Sequence, residues 1–416
     1  MGHQMNTPST VLSFNTSPQK RGTPPPQAAR VCLALLQRMR IGWLQMGLPD
    51  GSVRHFGDPQ ANGSLRADIQ LQNWEVFSAA MKSGDIGFAE TYVSGAWNSS
   101  NLSALLRVLT ANRQVLELAL YGTWLGRLGH RLRHLFNRNT RAGSKRNIHA
   151  HYDLGNGFYS TWLDTSMTYS SALFDGNFSL TTLEAQHLKI RRALQQSQVQ
   201  PGERLLEIGC GWGSLAELAI EEFGARVTGV TLSHEQLAYA KSRLACARDR
   251  ADLRLQDYRD IQDSPFDAIC SIEMVEAVGH AYWPQYFQTV ARLLKPGGRA
   301  CIQAITIDDG LFERYIRSTD FIQQYIFPGG CLPSPSEFRK AAGRYGLQVV
   351  EEHDFGLDYA ETCRRWRHDF LAHRATILGM GFDERFMRIW EFYLCYCEAA
   401  FEERNTSVMQ FTLVKA

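Results

Sequence analysis

The sequence lacks any long apolar run. No window reaches the roughly 18 to 20 consecutive apolar residues that a membrane-spanning helix needs. The N-terminal residues are polar and show no apolar core of a secretory signal. We therefore expect neither a spanning helix nor a signal peptide, and we expect any contact with a membrane to be peripheral.

Paired cysteines are also lacking. The nine cysteines are scattered and odd in number, and no two of them show the Cys-x-x-Cys spacing of zinc and redox motifs. A disulfide framework is therefore not expected, and no metal site is predicted. This use of cysteine favours a reducing cytoplasm as the location of the protein.

The chain carries little excess charge of either sign. Its 44 Lys and Arg residues nearly balance its 42 Asp and Glu residues, so the net charge is only +2. This overall charge does not indicate a nucleic-acid-binding protein. At 416 residues the chain is too long for one ordinary hydrophobic core, and we expect two domains and a tail.

A glycine-rich turn directly follows an apolar segment. Leu205–Ile208 has the pattern of a short buried parallel strand, and Gly209, Gly211 and Gly213 come before a helical pattern that begins at Ser214. Glycines at such a turn let the backbone approach a ligand closely and leave the amides of the helix N-terminus facing it. The pattern predicts a nucleotide-like cofactor at the carboxyl end of a parallel sheet.

Strands and helices alternate after this turn. Further strands are predicted at 226–232, 253–258, 266–272 and 299–305, with helical patterns between them. This alternation is typical of an α/β fold with a doubly wound parallel sheet. Residues 312–403 then have a mainly helical and aromatic pattern, and a last strand is expected at 407–414.

The residues around the turn distinguish two kinds of cofactor. A dinucleotide fingerprint needs Gly-x-Gly-x-x-Gly and an acidic residue for the ribose about 20 residues later. Here the glycines alternate, and the second strand ends at Thr231 instead of at an acid. Glu207 lies just before the turn, where it is placed to bind the amino group of S-adenosylmethionine. NAD is therefore disfavoured and S-adenosylmethionine is favoured.

Several motifs between about residue 147 and the C-terminus match a known family. They are His151–Asn156, Met167–Ala172, Leu206–Gly213, Gly229–Ser233, Gln256–Asp260, Met274–Gly279, Tyr325–Ser334 and Phe355–Tyr359. Through them the chain resembles the cyclopropane fatty acid synthase family. The resemblance implies a Rossmann-like class I methyltransferase sheet with a helical insertion for the lipid. It also implies methyl transfer from S-adenosylmethionine to the cis double bond of an unsaturated phospholipid acyl chain, giving a cyclopropane.

The same resemblance implies a set of cofactor-contacting residues. Tyr258, with its neighbours Asp257 and Arg259, is expected to border the adenine. Together with Glu207 and the glycine turn, the predicted set is Tyr169, Ser170, Glu207, Gly209, Cys210, Gly211, Gly213, Thr231, Leu232, Gln236, Asp257, Tyr258 and Arg259.

A second set of residues concerns the carbocation that methyl transfer leaves on the acyl chain. Aromatic faces can stabilise a cation, and Tyr359 is the aromatic residue favoured for this role. In the family a bound bicarbonate removes the proton, held by a Cys, a Glu, a His, an Ile backbone and a Tyr. Glu276, Ile305 and Tyr359 match these positions, whereas Ser171 and Gln303 replace the Cys and the His. Glutamine can hydrogen-bond an anion but cannot carry charge or relay a proton.

Three functions therefore stay open. Cyclopropane formation is the leading one, with bicarbonate as a bound base. The second is the same methyl transfer without ring closure, which gives a methylene- or methyl-branched chain. The third is a non-catalytic lipid-binding protein, and the intact Glu276, Tyr359 and glycine turn argue against it.

The segments of the chain differ in composition. Residues 1–28 are rich in Ser, Thr, Pro and Gln and are predicted to be a disordered tail. Residues 29–114 are expected to form a small α+β accessory domain that contacts lipid or membrane, and 147–416 the catalytic domain. The segment 115–146 is basic and amphipathic, which fits either an anionic bilayer surface or a solvated linker helix.

These segments also predict the partners of the protein. We expect unsaturated phospholipids as substrates, a cytoplasmic protein at the inner face of the membrane, and no nucleic acid. The family resemblance points to a homodimer, while the sequence itself leaves the oligomeric state open.

Overall fold

The computed structural model describes residues 24–60, 65–116 and 154–416. The chain divides into two compact units, Met1–Gly126 and Arg127–Ala416. The predicted basic linker beyond residue 116, most of the predicted tail and the motif residues 151–153 lie outside the described residues. Within the described ranges, no helix is both long and apolar enough to cross a membrane.

The first unit is a small α+β fold. Its elements are α1 (Gln27–Leu36), β1 (Trp43–Gly47), β2 (Val53–Gly57), β3 (Arg66–Leu71), α2 (Glu75–Ser83), α3 (Asp85–Val93), β4 (Trp97–Asn98) and α4 (Leu102–Ala111). The strands form a sheet in the order β2-β1-β3-β4, with β1 parallel to β3 and antiparallel to β2. Helix α1 begins inside the predicted tail, because Pro26 supplies the extended residue that precedes a helix.

The second unit alternates strands and helices. Its elements are α5 (Asn156–Tyr159), α6 (Thr182–Ser197), β5 (Arg204–Ile208), α7 (Ser214–Glu221), β6 (Arg226–Thr231), α8 (His234–Arg243), β7 (Ala251–Leu255), β8 (Phe266–Ile272), α9 (Val275–Val278), α10 (Trp283–Leu293), β9 (Leu294–Ile307), α11 (Asp309–Tyr315), α12 (Phe321–Tyr325), α13 (Pro335–Gly343), β10 (Leu347–Asp354), α14 (Gly356–Ala372), α15 (Arg374–Gly379), α16 (Glu384–Glu402) and β11 (Thr406–Lys415).

The sheet of the second unit has seven strands in the order β10-β11-β9-β8-β5-β6-β7. Strands β9, β8, β5, β6 and β7 are parallel to one another, and β11 runs antiparallel between β9 and β10. The chain leaves β5 on one side towards β6 and returns later to β8 on the other. This strand order places a topological switch point at the end of β5, where ligands of such sheets bind.

Apolar helices cover both faces of this sheet. One cluster includes Leu194, Leu215 and Ala219 and packs on one face, while a second cluster includes Phe287 and Phe338. The predicted α/β architecture is therefore confirmed, and it holds the glycine turn on a buried central strand.

Strand β10 was not predicted from the sequence. It lies at the edge of the sheet, and only Leu347 is fully buried along it. Its charged residues Glu351, Glu352 and Asp354 interrupt the apolar pattern of a strand. Pairing with β11 satisfies its backbone instead, so tertiary contacts override a weak local signal.

Candidate active site

The glycine turn needs its glycines. Gly209, Gly211 and Gly213 all have positive φ, at 88°, 50° and 88°. A Cβ atom on Gly209 would lie 2.7 Å from the Cγ atom of Met274. Side chains at these positions would therefore be strained or would clash, and the bare backbone forms one wall of a cavity at the carboxyl end of β5.

This cavity, called here the glycine-turn cavity, collects almost all of the predicted cofactor residues. The exception is Gly213, which precedes α7 and does not line the cavity. The predicted residues that do line it are Tyr169, Ser170, Glu207, Gly209, Cys210, Gly211, Thr231, Leu232, Gln236, Asp257, Tyr258 and Arg259. They come from the ends of β5, β6 and β7 and from the loop before α6.

Glu207 has an unsatisfied oxygen in this cavity. The side chain is 4% exposed, and its Oε2 atom has no hydrogen-bond partner among the described residues. Burial raises the pKa of this carboxyl to about 8, although the nearby Lys189 opposes the shift. A buried carboxylate oxygen without a partner is costly, so this atom is suited to a polar or cationic ligand group.

Lys189 lines the same cavity and was not predicted. It is fully buried on α6, and its Nζ donates to the Ser170 hydroxyl at 2.6 Å. Burial lowers its pKa to about 8, and the carboxylates of Glu273, Asp164 and Glu207 oppose that change. The sequence signal was a lysine on the apolar face of a helix, where a charge needs buried partners.

The loop before α6 closes the glycine-turn cavity. Arg243 on α8 donates to the backbone oxygens of Ser166 at 2.7 Å, Thr165 at 3.0 Å and Trp212 at 3.2 Å. One guanidinium therefore ties this loop to the glycine turn. The loop in turn carries Tyr169, whose hydroxyl lies 2.8 Å from that of Tyr393.

A second cavity, called here the aromatic cavity, lies beside the first. Its lining is mostly apolar and aromatic, and Tyr169, Glu273 and Ala277 line both cavities. Of the predicted catalytic residues it contains Glu276, Ile305 and Tyr359, but not Ser171 or Gln303. Its other lining residues include Tyr315, Ile322, Phe327, Leu332, Cys363, Tyr393, Tyr396, Cys397 and Phe401.

Ser171 and Gln303, the two predicted catalytic residues that do not line the aromatic cavity, both contact Glu273. Glu273 was not in the predicted set. The Oε1 atom of Glu273 accepts the backbone N–H of Ser171 at 2.9 Å and the side-chain amide of Gln303 at 2.8 Å. Its Oε2 atom accepts the Tyr359 hydroxyl at 2.7 Å. Three of the five residues that the resemblance assigned to a bound bicarbonate therefore surround a carboxylate of the chain itself.

Glu273 also has an unusual backbone. Its φ is 49°, in the left-handed region that side chains other than glycine seldom adopt. Burial raises the pKa of its carboxyl, and Lys189 together with the hydrogen bonds from Ser171, Tyr359 and Gln303 opposes this. Strain of this kind is concentrated at functional sites. The sequence signal was an acid directly after a buried strand at the switch point.

Glu276 is in a different environment from Glu273. Its Oε1 atom accepts the backbone N–H of Ile305, and its Oε2 atom has no partner among the described residues. Burial, and then the neighbouring charge of Glu273, raise the pKa of Glu276 to about 8. Two buried carboxyls with unequal hydrogen bonding can hold different protonation states at neutral pH, so one can accept a proton while the other is neutral.

The mixed sheet, the switch point and the glycine-turn cavity together define a class I S-adenosylmethionine-dependent methyltransferase. The chain belongs to the mycolic acid cyclopropane synthetase family, whose sequence profile matches residues 139–411. The resemblance stated from the motifs is therefore confirmed.

Individual relatives agree with this family. The chain is 36% identical over 425 residues to the tuberculostearic acid methyltransferase UfaA1 of Mycobacterium tuberculosis, across 98% of this chain and 97% of that protein. It is 35% identical over 350 residues to the cyclopropane-fatty-acyl-phospholipid synthase of Escherichia coli, across 84% of this chain and 88% of that one.

A crystal structure supports the cofactor. Mycolic acid cyclopropane synthase CmaA1, complexed with SAH and CTAB, is 31% identical and superimposes with a TM-score of 0.61, across 65% of this chain and 98% of that one. SAH is what remains of S-adenosylmethionine after it has given up its methyl group. The prediction of S-adenosylmethionine as the cofactor is thereby confirmed. The protein is thus an S-adenosylmethionine-dependent methyltransferase that modifies lipid acyl chains.

Proposed function

We propose that the protein transfers a methyl group from S-adenosylmethionine to the cis double bond of an unsaturated phospholipid acyl chain. In this proposal Glu273 accepts the proton that the methylated chain then loses. The observation that carries it is the convergence of Ser171, Gln303 and Tyr359 on the Glu273 carboxylate, beside a cavity lined by apolar and aromatic side chains.

The glycine-turn cavity fits S-adenosylmethionine. The unpartnered Oε2 atom of Glu207 suits the amino group of the cofactor, and the bare backbone at Gly209 permits close approach. Asp257 and Arg259, which pair with each other, are placed to border the adenine beside Tyr258. When bound, the cofactor supplies an electrophilic methyl group.

The aromatic cavity suits the acyl chain. An isolated alkene is a weak nucleophile, so it must be held in line with the methyl group in a site that excludes water. The wall shared by the two cavities, at Tyr169 and Ala277, is where methyl group and alkene would meet. The rings of Tyr169 and Phe327 stack with their centroids 6.4 Å apart, and together with Tyr359 they are placed to stabilise a cation.

A bound bicarbonate does not fit this site. The donors that would hold it, from Ser171, Gln303 and Tyr359, already hydrogen-bond to Glu273. We therefore assign no step to bicarbonate. The carboxylate of Glu273 supplies the same chemical group, an oxyanion that can accept a proton.

The bonds and protons balance as follows. A carbon–carbon bond forms between the methyl group and one alkene carbon as the carbon–sulfur bond breaks, which leaves a cation on the adjacent chain carbon. A hydride moves from the methylated carbon to the cation, and the new methyl group then loses a proton to Glu273. The product is a methylene-branched chain with one more CH₂ than the substrate.

Two observations favour this open-chain product. Gln303 replaces the histidine of the ring-closing site, and it cannot relay a proton. The relative named a methyltransferase, and not a cyclopropane synthase, also aligns over 98% of this chain. A second candidate is the cyclopropane itself, formed when loss of the same proton closes a ring. It is favoured by Glu276, Ile305 and Tyr359, which line the aromatic cavity as the cyclopropane resemblance requires.

The test uses S-adenosylmethionine with a trideuterated methyl group and vesicles of a dioleoyl phospholipid. Loss of a proton from the transferred methyl group leaves two deuterium atoms in the fatty acid, whereas loss from the chain leaves three. Mild hydrogenation then adds two hydrogens to a methylene branch and none to a cyclopropane, and mass spectrometry separates these products. Lipid without deuterium would exclude the proposed function altogether.

We also propose that the protein is cytoplasmic and acts at the inner face of the membrane. The substrate named above is a membrane lipid, and residues 115–146 are rich in arginine. In this proposal the accessory domain at 29–114 and the basic segment provide the membrane contact.

A further inference from the structure

A chain of hydrogen bonds leads from Glu273 away from both cavities. Gln303 on β9 donates to Glu273 at 2.8 Å, and Gln410 on β11 donates to the Oε1 atom of Gln303 at 3.1 Å. Arg192 on α6 donates to the Oε1 atom of Gln410 at 2.6 Å. The two glutamines are fully buried and lie directly opposite each other in the β9–β11 pairing. Side chains from α6, β11 and β9 are therefore linked in one chain of hydrogen bonds that ends on the Glu273 carboxylate.

Arg192 sets the direction of this chain. A guanidinium can only donate hydrogen bonds, so Gln410 must turn its oxygen towards Arg192 and its NH₂ group inwards. That NH₂ group reaches the oxygen of Gln303 and, at 3.2 Å, the backbone oxygen of Lys189. Gln303 must then present its own NH₂ group to Glu273. Arg192 is itself fixed by Glu351, at 2.6 Å.

We propose that Arg192 and Gln410 are positioning residues for the reaction. They orient the amide of Gln303 so that it donates to Glu273, and so hold the Glu273 carboxylate ionised and in place. This inference rests on the proposed function of Glu273 as the proton acceptor.

The alternative orientation of Gln303 would oppose the reaction. Its oxygen would then face the carboxylate oxygen of Glu273, and two acceptors at this distance repel each other when buried. The ionised form of Glu273 would lose a hydrogen bond and its pKa would rise. A proton acceptor must be ionised, so activity on the acid side would fall.

Other ionisable groups also face Glu273, and Gln410 bonds to one of them only through the backbone oxygen of Lys189. They are Lys189 from α6, Glu276 from α9, Tyr359 and Cys363 from α14, and Cys397 from α16. Arg192, Gln303 and Gln410 are not among the described residues that line either cavity. A change at Gln410 should therefore act on the proton acceptor, and the KM for the cofactor reports any effect that reaches the glycine-turn cavity through the backbone of Lys189.

The test compares Gln410→Met with Thr412→Val in the full-length protein. Thr412 is the matched control, because it is also buried on β11 and also bonds to α6, through Gln196 at 3.2 Å, but it has no link to Glu273. In Gln410→Met nothing fixes the orientation of the Gln303 amide, so its hydrogen bond to the buried Glu273 carboxylate is lost for part of the time. The pKa that defines the acid limb of the kcat profile should therefore rise by about one pH unit. KM for both substrates should stay within about twofold, and Thr412→Val should keep the wild-type limb.

A second variant tests the orientation of the Gln303 amide. Gln410→Glu keeps a partner for Arg192 but can no longer donate to Gln303, so it should draw the NH₂ group of Gln303 away from Glu273. The acid limb should again move upward. Rates that fall equally at every pH, with a lower melting temperature, would show a merely structural role and overturn the inference.

Failure of the underlying proposal gives a different result. If Glu273→Gln keeps normal turnover, Glu273 is not the proton acceptor and the proposed function is at fault. If Glu273→Gln is inactive but the acid limb of Gln410→Met and Gln410→Glu stays at its wild-type position, only the positioning role is overturned.

Discussion

Glu273 keeps a backbone conformation that is strained for any residue with a side chain. Its φ of 49° is tolerated because three groups, the Ser171 amide, the Gln303 amide and the Tyr359 hydroxyl, hold its carboxylate. A carboxylate fixed by several donors is rigid and need not be recruited from solution. At the scale of single residues, the observed site therefore differs from the predicted one in a single group: the Glu273 carboxylate accepts the hydrogen bonds that were expected to hold a bicarbonate.

Glu273→Gln should reduce turnover by roughly 100-fold or more, because the amide preserves the shape of the side chain but cannot accept the proton. Binding of S-adenosylmethionine, measured by calorimetry, should change little. The control is Glu222→Gln, which alters a surface carboxylate paired with Arg191 and should leave turnover unchanged. Normal turnover in Glu273→Gln would remove this residue from the mechanism.

Glu273→Gly should be inactive and open to rescue by small anions. Glycine adopts a φ of 49° without strain, and the substitution leaves the donors of Ser171, Gln303 and Tyr359 without an acceptor. Bicarbonate or formate should fill the space and restore part of the turnover, whereas chloride should not. The measurement is product formation against anion concentration. A variant that is folded but insensitive to both oxyanions would contradict the assigned role of the three donors.

At the scale of elements, helix α8 controls the loop that closes the glycine-turn cavity. Arg243 lies near the end of this helix and binds three backbone oxygens, two in the loop and one in the glycine turn. Such carbonyls belong to irregular backbone that no helix or strand orders. The side chain therefore joins two parts of the cavity wall that are far apart in sequence.

Arg243→Met should weaken the binding of S-adenosylmethionine by about tenfold, because the loop that carries Tyr169 and Ser170 loses up to three charge-assisted hydrogen bonds. The effect should appear in the Kd from calorimetry and in KM for the cofactor. Lys241→Met, an exposed change in the same turn of α8, is the control. Equal cofactor affinity in Arg243→Met and wild type would show that the loop is held without Arg243, by its aromatic contacts and by the bonds of Lys189 and Gln186 to Ser170.

At the scale of the whole molecule, the chain combines a catalytic unit with a smaller unit that contains none of the predicted catalytic residues. The crystallised cyclopropane synthase matches 65% of this chain over 98% of its own length. The fold of the catalytic unit therefore also occurs in a protein that has no unit corresponding to residues 1–126. For the smaller unit and the basic segment we proposed membrane contact.

Anionic vesicles should recruit the full-length protein, and added salt should weaken this binding. The attraction between basic side chains and anionic headgroups extends over only about 8 Å at physiological ionic strength, and added salt shortens this range further. Co-sedimentation at increasing salt measures the effect. Replacing Arg127, Arg131, Arg133 and Arg138 by Gln should lower binding to anionic vesicles and leave turnover on detergent-dispersed lipid unchanged. Vesicle binding that does not depend on salt would assign the basic segment to a linker role.

The sequence by itself determined the fold class, the glycine turn and most of the residues around the first cavity. These features follow from local patterns: a buried strand gives an apolar run, a tight turn at positive φ requires glycine, and alternating units give a parallel sheet. Thr231, Gln236 and Tyr258 could be named only because the motifs around them resemble those of the family, and the fold then brings them to the same edge of the sheet.

Only the tertiary structure decided that the Glu273 carboxylate occupies the place of the predicted bicarbonate. Ser171, Gln303 and Tyr359 are separated from Glu273 by 102, 30 and 86 residues, and they meet it through packing of β8, β9 and α14. The link from Gln303 to Gln410 depends on the register of β9 and β11, across 107 residues. No local periodicity encodes such partners, because they are chosen when the strands pair and the buried polar groups must all be satisfied.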